Sequence, residues 1–192
     1  MFGYRYDISA NGQRARFFRN IANITMDCDG VEVVKFNALG GADKITVNDL
    51  TGTDVKNVNL DLASPAASGQ GDNIGDSVII NGTDNDDTIT VSNNAAVITV
   101  QGLAATVNIV GTDPALDTLT IDALAGNDVV TAADLQAGII NLIINGGPGD
   151  DVLIGSHGDD IIFGGEGDDI LEGGPGQDAL DGGPGNNVII QD

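Results

Sequence analysis

Asp151, Asp160, Asp169 and Asp178 recur every nine residues, and Asn187 falls at the next step of the same spacing. Each closes a run of glycine and polar residues: GGPGDD, GSHGDD, GGEGDD, GGPGQD and GGPGNN. Three mostly apolar residues follow each run, as in Val152-Leu153-Ile154. Carboxylates at this spacing do chemistry only if the fold brings them together. If alternate units stack, Asp151 lies over Asp169 and Asp160 over Asp178, at the ~4.8 Å spacing of neighbouring strands. Bare carboxylates that close repel, and the adjoining Asp150, Asp159 and Asp168 add to the field. A hard cation such as Ca²⁺ removes the conflict. It takes about six to eight oxygens at ~2.3–2.6 Å, so opposite ligands stand ~5 Å apart, close to the strand spacing. Tight turns leave backbone carbonyls free as further ligands.

The elements that must hold these groups follow from the same unit. Glycine and aspartate favour turns and left-handed backbone, whereas the three apolar residues form a short strand. Alternation turns the middle residue of each (Leu153, Ile162, Leu171, Leu180 and Ile189) to a common face. One such strand spans ~10 Å and buries nothing alone. Two units close a flattened coil of eighteen residues, and stacked coils make the apolar column continuous. Units one, three and five then share one edge, and units two and four the other. A flexible glycine-rich linker has no phased apolar column of this kind.

These units resemble the RTX, or haemolysin-type, calcium-binding repeat family, whose motif GGxGxDxUx they carry almost letter for letter. The resemblance implies Ca²⁺ ions between two turns on one edge. One turn supplies the carbonyls at positions two and four and the position-six carboxylate. The turn two units later supplies the carbonyls at positions one and three and its own position-six carboxylate. Carried over residue by residue, one site is Gly147, Gly149 and Asp151 with Gly164, Glu166 and Asp169. A second is Ser156, Gly158 and Asp160 with Gly173, Pro175 and Asp178. A third is Gly165, Gly167 and Asp169 with Gly182, Pro184 and Asn187, where a neutral side chain is expected to bind more weakly. A fourth pairs Leu124, Gly126 and Asp128 with Gly146, Pro148 and Asp151. The expectation is thus about three Ca²⁺ in the repeats and one more at Asp128/Asp151. The resemblance further implies type I secretion and folding outside the cell. The chain, however, ends two residues after the last unit. The trailing segment where that family usually carries its export signal does not follow, so a fragment or another route is expected.

The 192 residues suffice for one domain or two small ones. Abundant Gly, Asp, Asn, Val and Ile with no Trp suit turns and strands rather than a helical bundle. Net charge is −22, and all seven Lys and Arg lie before residue 57. The remaining 136 residues hold 22 acids and no Lys or Arg. That part cannot neutralise phosphates, which excludes nucleic acid as its partner, and it attracts divalent cations. The single Cys28 forbids an intrachain disulfide and reads as a buried or semi-buried small residue rather than a reactive thiol. No run has transmembrane length, and the N-terminus has no apolar core of signal-peptide length.

Along the chain, Tyr4, Tyr6 and Ile8 alternate before an expected hairpin turn at Asn11-Gly12. Together with Phe2, Phe17 and Phe18 they read either as a partner-binding patch or as a cap on the first coil. Strand-like alternation then runs from Ile21 to Leu62, and again from Asp76 onward, where Asp76, Asp87, Asp117 and Asp128 each stand two before an apolar residue. Residues 37–50 align without gaps on 122–135, with half the positions identical at an offset of 85. The chain therefore reads as all-β: a right-handed parallel β-helix or β-roll solenoid. Its expected parts are a cap and first degenerate copy (1–62), a linker or long loop (63–75), a second degenerate copy (76–145) and the nonapeptide roll (146–192). Turn aspartates such as Asp43, Asp76 and Asp87 either bind metal or cap their own backbone amides.

Catalytic chemistry is not expected. His157, the only histidine, has no partner ligands nearby in sequence. GGxG lacks the lysine of a phosphate loop, and the repeat itself accounts for every carboxylate pair in the roll. Three functions fit: a secreted or cell-surface calcium-binding module, a self-assembling adhesin or filament subunit, or the non-catalytic module of a larger secreted enzyme. Assembly would use the solenoid ends or the outward strip at Ile161 and Phe163, which is otherwise covered by an N-terminal segment.

Overall fold

A computed structural model describes residues 4–20 and 24–191. Phe2 and Ile21 lie outside the described residues. Among those described there are eighteen strands and no helix. The first six are β1 (Arg5–Asn11), β2 (Arg14–Arg19), β3 (Ile24–Cys28), β4 (Val33–Asn37), β5 (Lys44–Val47) and β6 (Asn57–Asp61). The middle six are β7 (Ser77–Asn81), β8 (Thr88–Asn94), β9 (Val97–Gln101), β10 (Thr106–Val110), β11 (Thr118–Asp122) and β12 (Val129–Asp134). The last six are β13 (Asn141–Pro148), β14 (Val152–Ile154), β15 (Ile161–Glu166), β16 (Ile170–Glu172), β17 (Ala179–Asp181) and β18 (Val188–Ile190). No helix among the described residues is long and apolar enough to cross a membrane.

The strands form two sheets of nine, ordered β17-β15-β13-β11-β7-β5-β1-β2-β3 and β18-β16-β14-β12-β8-β9-β10-β6-β4. From β10 onward successive strands alternate between the sheets, and same-sheet neighbours pair in parallel. Each has one buried face, as in the alternating buried residues of β11 and β13. Ile45, Ile80, Ile121, Ile144 and Ile162 from one sheet and Leu60, Ile109, Ile89, Val130, Leu153 and Leu171 from the other are almost wholly buried in one core. A buried Leu or Ile contributes about 1.5–3 kcal/mol, so this column is the main force that keeps the coils stacked. In the nonapeptides the register is regular: Ile170 pairs with Val152 on one side and Val188 on the other, and Ile161 with Ala179. Units one, three and five do share one edge, and units two and four the other.

Two stretches depart from the expected all-parallel arrangement. At the start, β1, β2 and β3 pair antiparallel, and Tyr6, Phe17 and Phe36 meet at ring-centroid distances of 4.2–6.1 Å over the first coil. The hairpin turn is Gly12-Gln13, one residue later than expected, since Asn11 pairs with Arg14. In the second sheet, β8, β9 and β10 also pair antiparallel. Only Ala95 and Ala96 separate the paired Asn94 and Val97, a link far too short for the crossover that parallel strands need. Residues 63–75 contain no strand, and β5 and β7 pair directly across them.

The duplicated segments 37–50 and 122–135 fall in opposite sheets. The strand after Asp43 is β5, and the strand after Asp128 is β12. Leu50 and Leu135, equivalent in the two copies, are both buried. The apolar column fades at the far end, where Ile189 is 50 % exposed although its equivalent Leu171 is 0 %.

Candidate metal centre

Every aspartate that ends a repeat turn is tied to the next coil in one way. The Asp128 N–H donates to Asp151 Oδ1 at 2.8 Å, Asp151 N–H to Asp169 Oδ1 at 2.9 Å, and Asp169 N–H to Asn187 Oδ1 at 2.8 Å. On the other edge the Asp160 N–H donates to Asp178 Oδ1 at 2.9 Å. One oxygen of each acceptor therefore faces the coil before it. The second oxygen differs. Oδ2 of Asp128, Asp151 and Asp169 is buried and accepts no hydrogen bond. Buried polar groups are normally paired, so these three oxygens mark where positive charge is missing.

Backbone carbonyls surround that space. The Gly147 and Gly149 carbonyl oxygens lie so close to Gly165 and Gly167 that a Cβ there would meet them at 2.0 and 2.1 Å. The Gly164 oxygen from the later coil and the turn's own Asp151 Oδ2 both crowd Gly146, at 2.4 and 2.2 Å from a Cβ position, and the Glu166 carbonyl of the later coil accepts the Gly149 N–H at 2.8 Å. All six residues expected for the first site thus lie along the contact between these two turns. The fourth expected site repeats the pattern. Leu124 and Gly126 carbonyls press on Gly147 and Gly149, and the Pro148 carbonyl accepts the Gly126 N–H at 3.1 Å.

The turn backbone explains this aim. Positions two and four have positive φ in four of the five repeat turns: Gly147 and Gly149, Gly165 and Gly167, Gly174 and Gly176, Gly183 and Gly185. Leu124 and Gly126 adopt it too, at 81° and 134°. Glycine takes this conformation at no steric cost, and it swings alternate carbonyls toward opposite neighbours.

Turn 155–160 is built differently, and the turn beside it on its edge, which leads into β13, ends in Ile140 rather than an aspartate. Neither Ser156 nor Gly158 has positive φ. The Ser156 N–H and hydroxyl donate to Asp160 Oδ2 and Oδ1 at 2.5 and 2.9 Å. Even so, Ser156 and Gly158 carbonyls face Gly174 and Gly176, and the Gly173 oxygen faces Gly155. These contacts bring Ser156, Gly158, Asp160, Gly173 and Asp178 to one gap, with Pro175 exposed at the tip of its turn. Turn 82–87 has the same closure: Thr83 N–H donates to Asp87 Oδ2 at 2.6 Å. Sequence reasoning missed this role. A hydroxyl does not mark the closure, since the Asp113 N–H donates to Asp117 Oδ2 at 2.8 Å in the same way.

The third expected site is altered at its end. Gly165 and Gly167 carbonyls face Gly183 and Gly185, while Gly182 and Pro184 carbonyls accept the Gly165 and Gly167 N–H at 3.3 and 3.0 Å. Asn187 Nδ2, however, takes the place that Oδ2 occupies in the other turns, and donates to the Gly183 carbonyl at 2.9 Å. A donor there repels a cation. Asn187→Asp is expected to restore the oxygen and raise the calcium-dependent melting temperature, read by thermal scans at fixed Ca²⁺.

Electrostatics agree with this arrangement. Burial pushes Asp151 up to about 6, against the lowering effect of the Asp128 N–H, and the neighbouring Asp128, Asp169 and Asp150 add to the rise. Asp160 is also raised to about 6, chiefly by burial. Asp128 is raised, first by burial and then by Asp87 and Asp86. No three His, Cys, Asp or Glu side chains among the described residues are placed to hold a metal ion by themselves. The carbonyls are indispensable. The donor set is all oxygen, part charged and part neutral, which suits Ca²⁺ and not a soft metal. His157 is exposed, its N–H bonded to the Leu135 carbonyl.

Residues 143–171 and 158–189 match the RTX calcium-binding nonapeptide repeat (4 copies). The end of the chain is therefore built of RTX calcium-binding repeats. No curated protein and no solved structure matches the chain.

Proposed function

We propose that this chain is a calcium-binding structural module whose acidic turns order around Ca²⁺ held between stacked coils of a right-handed β-solenoid. The matched repeats support it, and one observation carries it: the unpaired, buried Oδ2 atoms of Asp128, Asp151 and Asp169 in successive coils. Three ions belong to the expected repeat sites, that at Asn187 being the weakest, and a fourth to Asp128 and Asp151. Residues contributed by two coils make each ion a clamp, so binding free energy becomes folding free energy. Such a chain stays loose where calcium is scarce and condenses where it is abundant. That suits an extracellular or cell-surface protein exported unfolded, with a role that is structural rather than catalytic. Far-ultraviolet circular dichroism with and without EGTA tests this. The β signal is expected to fall on chelation and return with added Ca²⁺; a signal unchanged after complete chelation overturns the reading.

A second reading, end-to-end self-assembly, draws on the exposed last strand, where Val188, Ile189 and Ile190 are 52, 50 and 41 % exposed. An open sheet edge of apolar residues invites pairing. Light scattering that grows with protein concentration in Ca²⁺ supports it, and a strict monomer at high concentration excludes it.

A further inference from the structure

The turn 38–43 is a conformational twin of turn 123–128, yet lies far from the matched repeats. The two read ALGGAD and ALAGND. Leu39 and Gly41 have φ of 65° and 118°, against 81° and 134° at Leu124 and Gly126. A left-handed leucine is sterically costly, and both copies keep it. Asp43 and Asp128 are 2 % and 1 % exposed, and each has an Oδ2 without a hydrogen-bond partner. Asp43 Oδ1 accepts the Tyr4 N–H at 3.0 Å, and the Asp43 N–H donates to Asp76 Oδ1 at 2.8 Å. This is the same ladder that links Asp128 to Asp151.

What stacks on this turn is acidic as well. Asp72 Oδ2 accepts the Gly41 N–H at 2.7 Å and stands 3.0 Å from a Cβ position on Gly40. Its charge acts directly on the Asp43 carboxyl. The Leu39 carbonyl also points to this side, where it accepts the Ser64 hydroxyl at 3.1 Å. Asp43, whose Oδ2 is buried and unpaired, thus has two further carboxylates beside it, Asp72 and Asp76.

We propose a second cation locus here, between turn 38–43 and residues 72–76, where a hard divalent cation binds Asp43 and Asp72 together with backbone oxygens. No three acidic side chains converge there, so backbone oxygens such as that of Leu39 complete the donor set. The locus shares no residue with the repeat sites. It rests on the calcium reading only for the chemistry of the ion.

The only tyrosines, Tyr4 and Tyr6, lie on or beside β1, next to β5. The repeats begin at β13, three strands beyond β5, or roughly 15 Å further at the usual strand spacing. Tyrosine-sensitised terbium emission falls off steeply with distance and therefore reads the new locus selectively. With the full chain stripped of metal, Tb³⁺ is expected to give tyrosine-sensitised emission that Ca²⁺ competes away. Asp43→Asn and Asp72→Asn are expected to weaken apparent Tb³⁺ affinity at least tenfold, while Asp151→Asn with Asp169→Asn leaves it intact. Asp72 is only half-buried, and of the two backbone N–H groups it accepts from, those of Gly41 and Ile74, an amide keeps one, so Asp72→Asn decides the matter if Asp43→Asn disturbs the fold. Emission absent from the parent chain, unchanged in Asp72→Asn, or lost only in the repeat variant overturns the proposal. The calcium reading of the repeats is judged separately, by the circular dichroism response.

Discussion

Gly167→Ala is expected to abolish calcium-dependent ordering of the repeats, whereas Gly158→Ala is expected to leave it intact. Both are position-four glycines of the same motif, so a sequence-only view treats them alike. Gly167 has φ of 138°, and a Cβ there would lie 2.1 Å from the Gly149 carbonyl oxygen and 2.6 Å from its carbon. The contact is backbone on backbone, so no side chain can move aside. Coils must separate, and the Gly149 oxygen leaves the gap it shares with Asp151 and Glu166. Left-handed strain contributes about 1–3 kcal/mol, and an overpacked contact about as much again. A loss of about 3 kcal/mol or more is expected in urea unfolding at saturating Ca²⁺. Gly158 is not left-handed, and its nearest contacts would be 3.5 Å and 3.6 Å away. Alanine there is expected to change stability by less than about 1 kcal/mol. Equal losses in the two variants would contradict the stacking account of the site.

The response to pH reverses when calcium is removed. Without the ion, burial and neighbouring carboxylates raise Asp151 and Asp160 from 3.8 to about 6, and Asp76 to about 7. The folded state then holds protons that the unfolded chain releases. Its stability contribution is greatest below the ordinary carboxyl range and is lost as pH rises through about 6 to 7. In EGTA the melting temperature is therefore expected to rise as pH falls from 7.5 toward about 5, which the net charge of −22 reinforces. In excess Ca²⁺ the sign is opposite. The ion needs ionised carboxylates, so protons compete with it and the melting temperature falls on acidification. Thermal scans across this range in both conditions decide the point. Parallel curves in EGTA and in Ca²⁺ would show that these carboxyls are not where the ion acts.

The repeat end was legible because a short period leaves little freedom. Nine residues of turn and strand can bury Leu153, Ile162 and Leu171 only by stacking, and stacking brings Asp151 to Asp169. The phase of the carboxylates therefore followed from local pattern. Asn187 was visible as a weak point, but not the reason. Either end of an amide can face the ion, and its Nδ2 takes that place because the oxygen is occupied by the Asp169 N–H.

By itself, the sequence determined that the chain is all β, that its last fifth stacks in eighteen-residue coils, and which carboxylates fall on each edge. Tertiary structure alone decided that β8, β9 and β10 double back, that the duplicated segments sit in opposite sheets, and that Asp72 meets the turn ending at Asp43. The physical reason is separation along the chain. Stacked repeat aspartates are 18 residues apart at every step, so one unit predicts the next. Asp43 and Asp76 are 33 apart, Asp76 and Asp117 41, Asp87 and Asp128 41. Loops of unequal length set those steps, and no local pattern encodes where such loops bring the chain back.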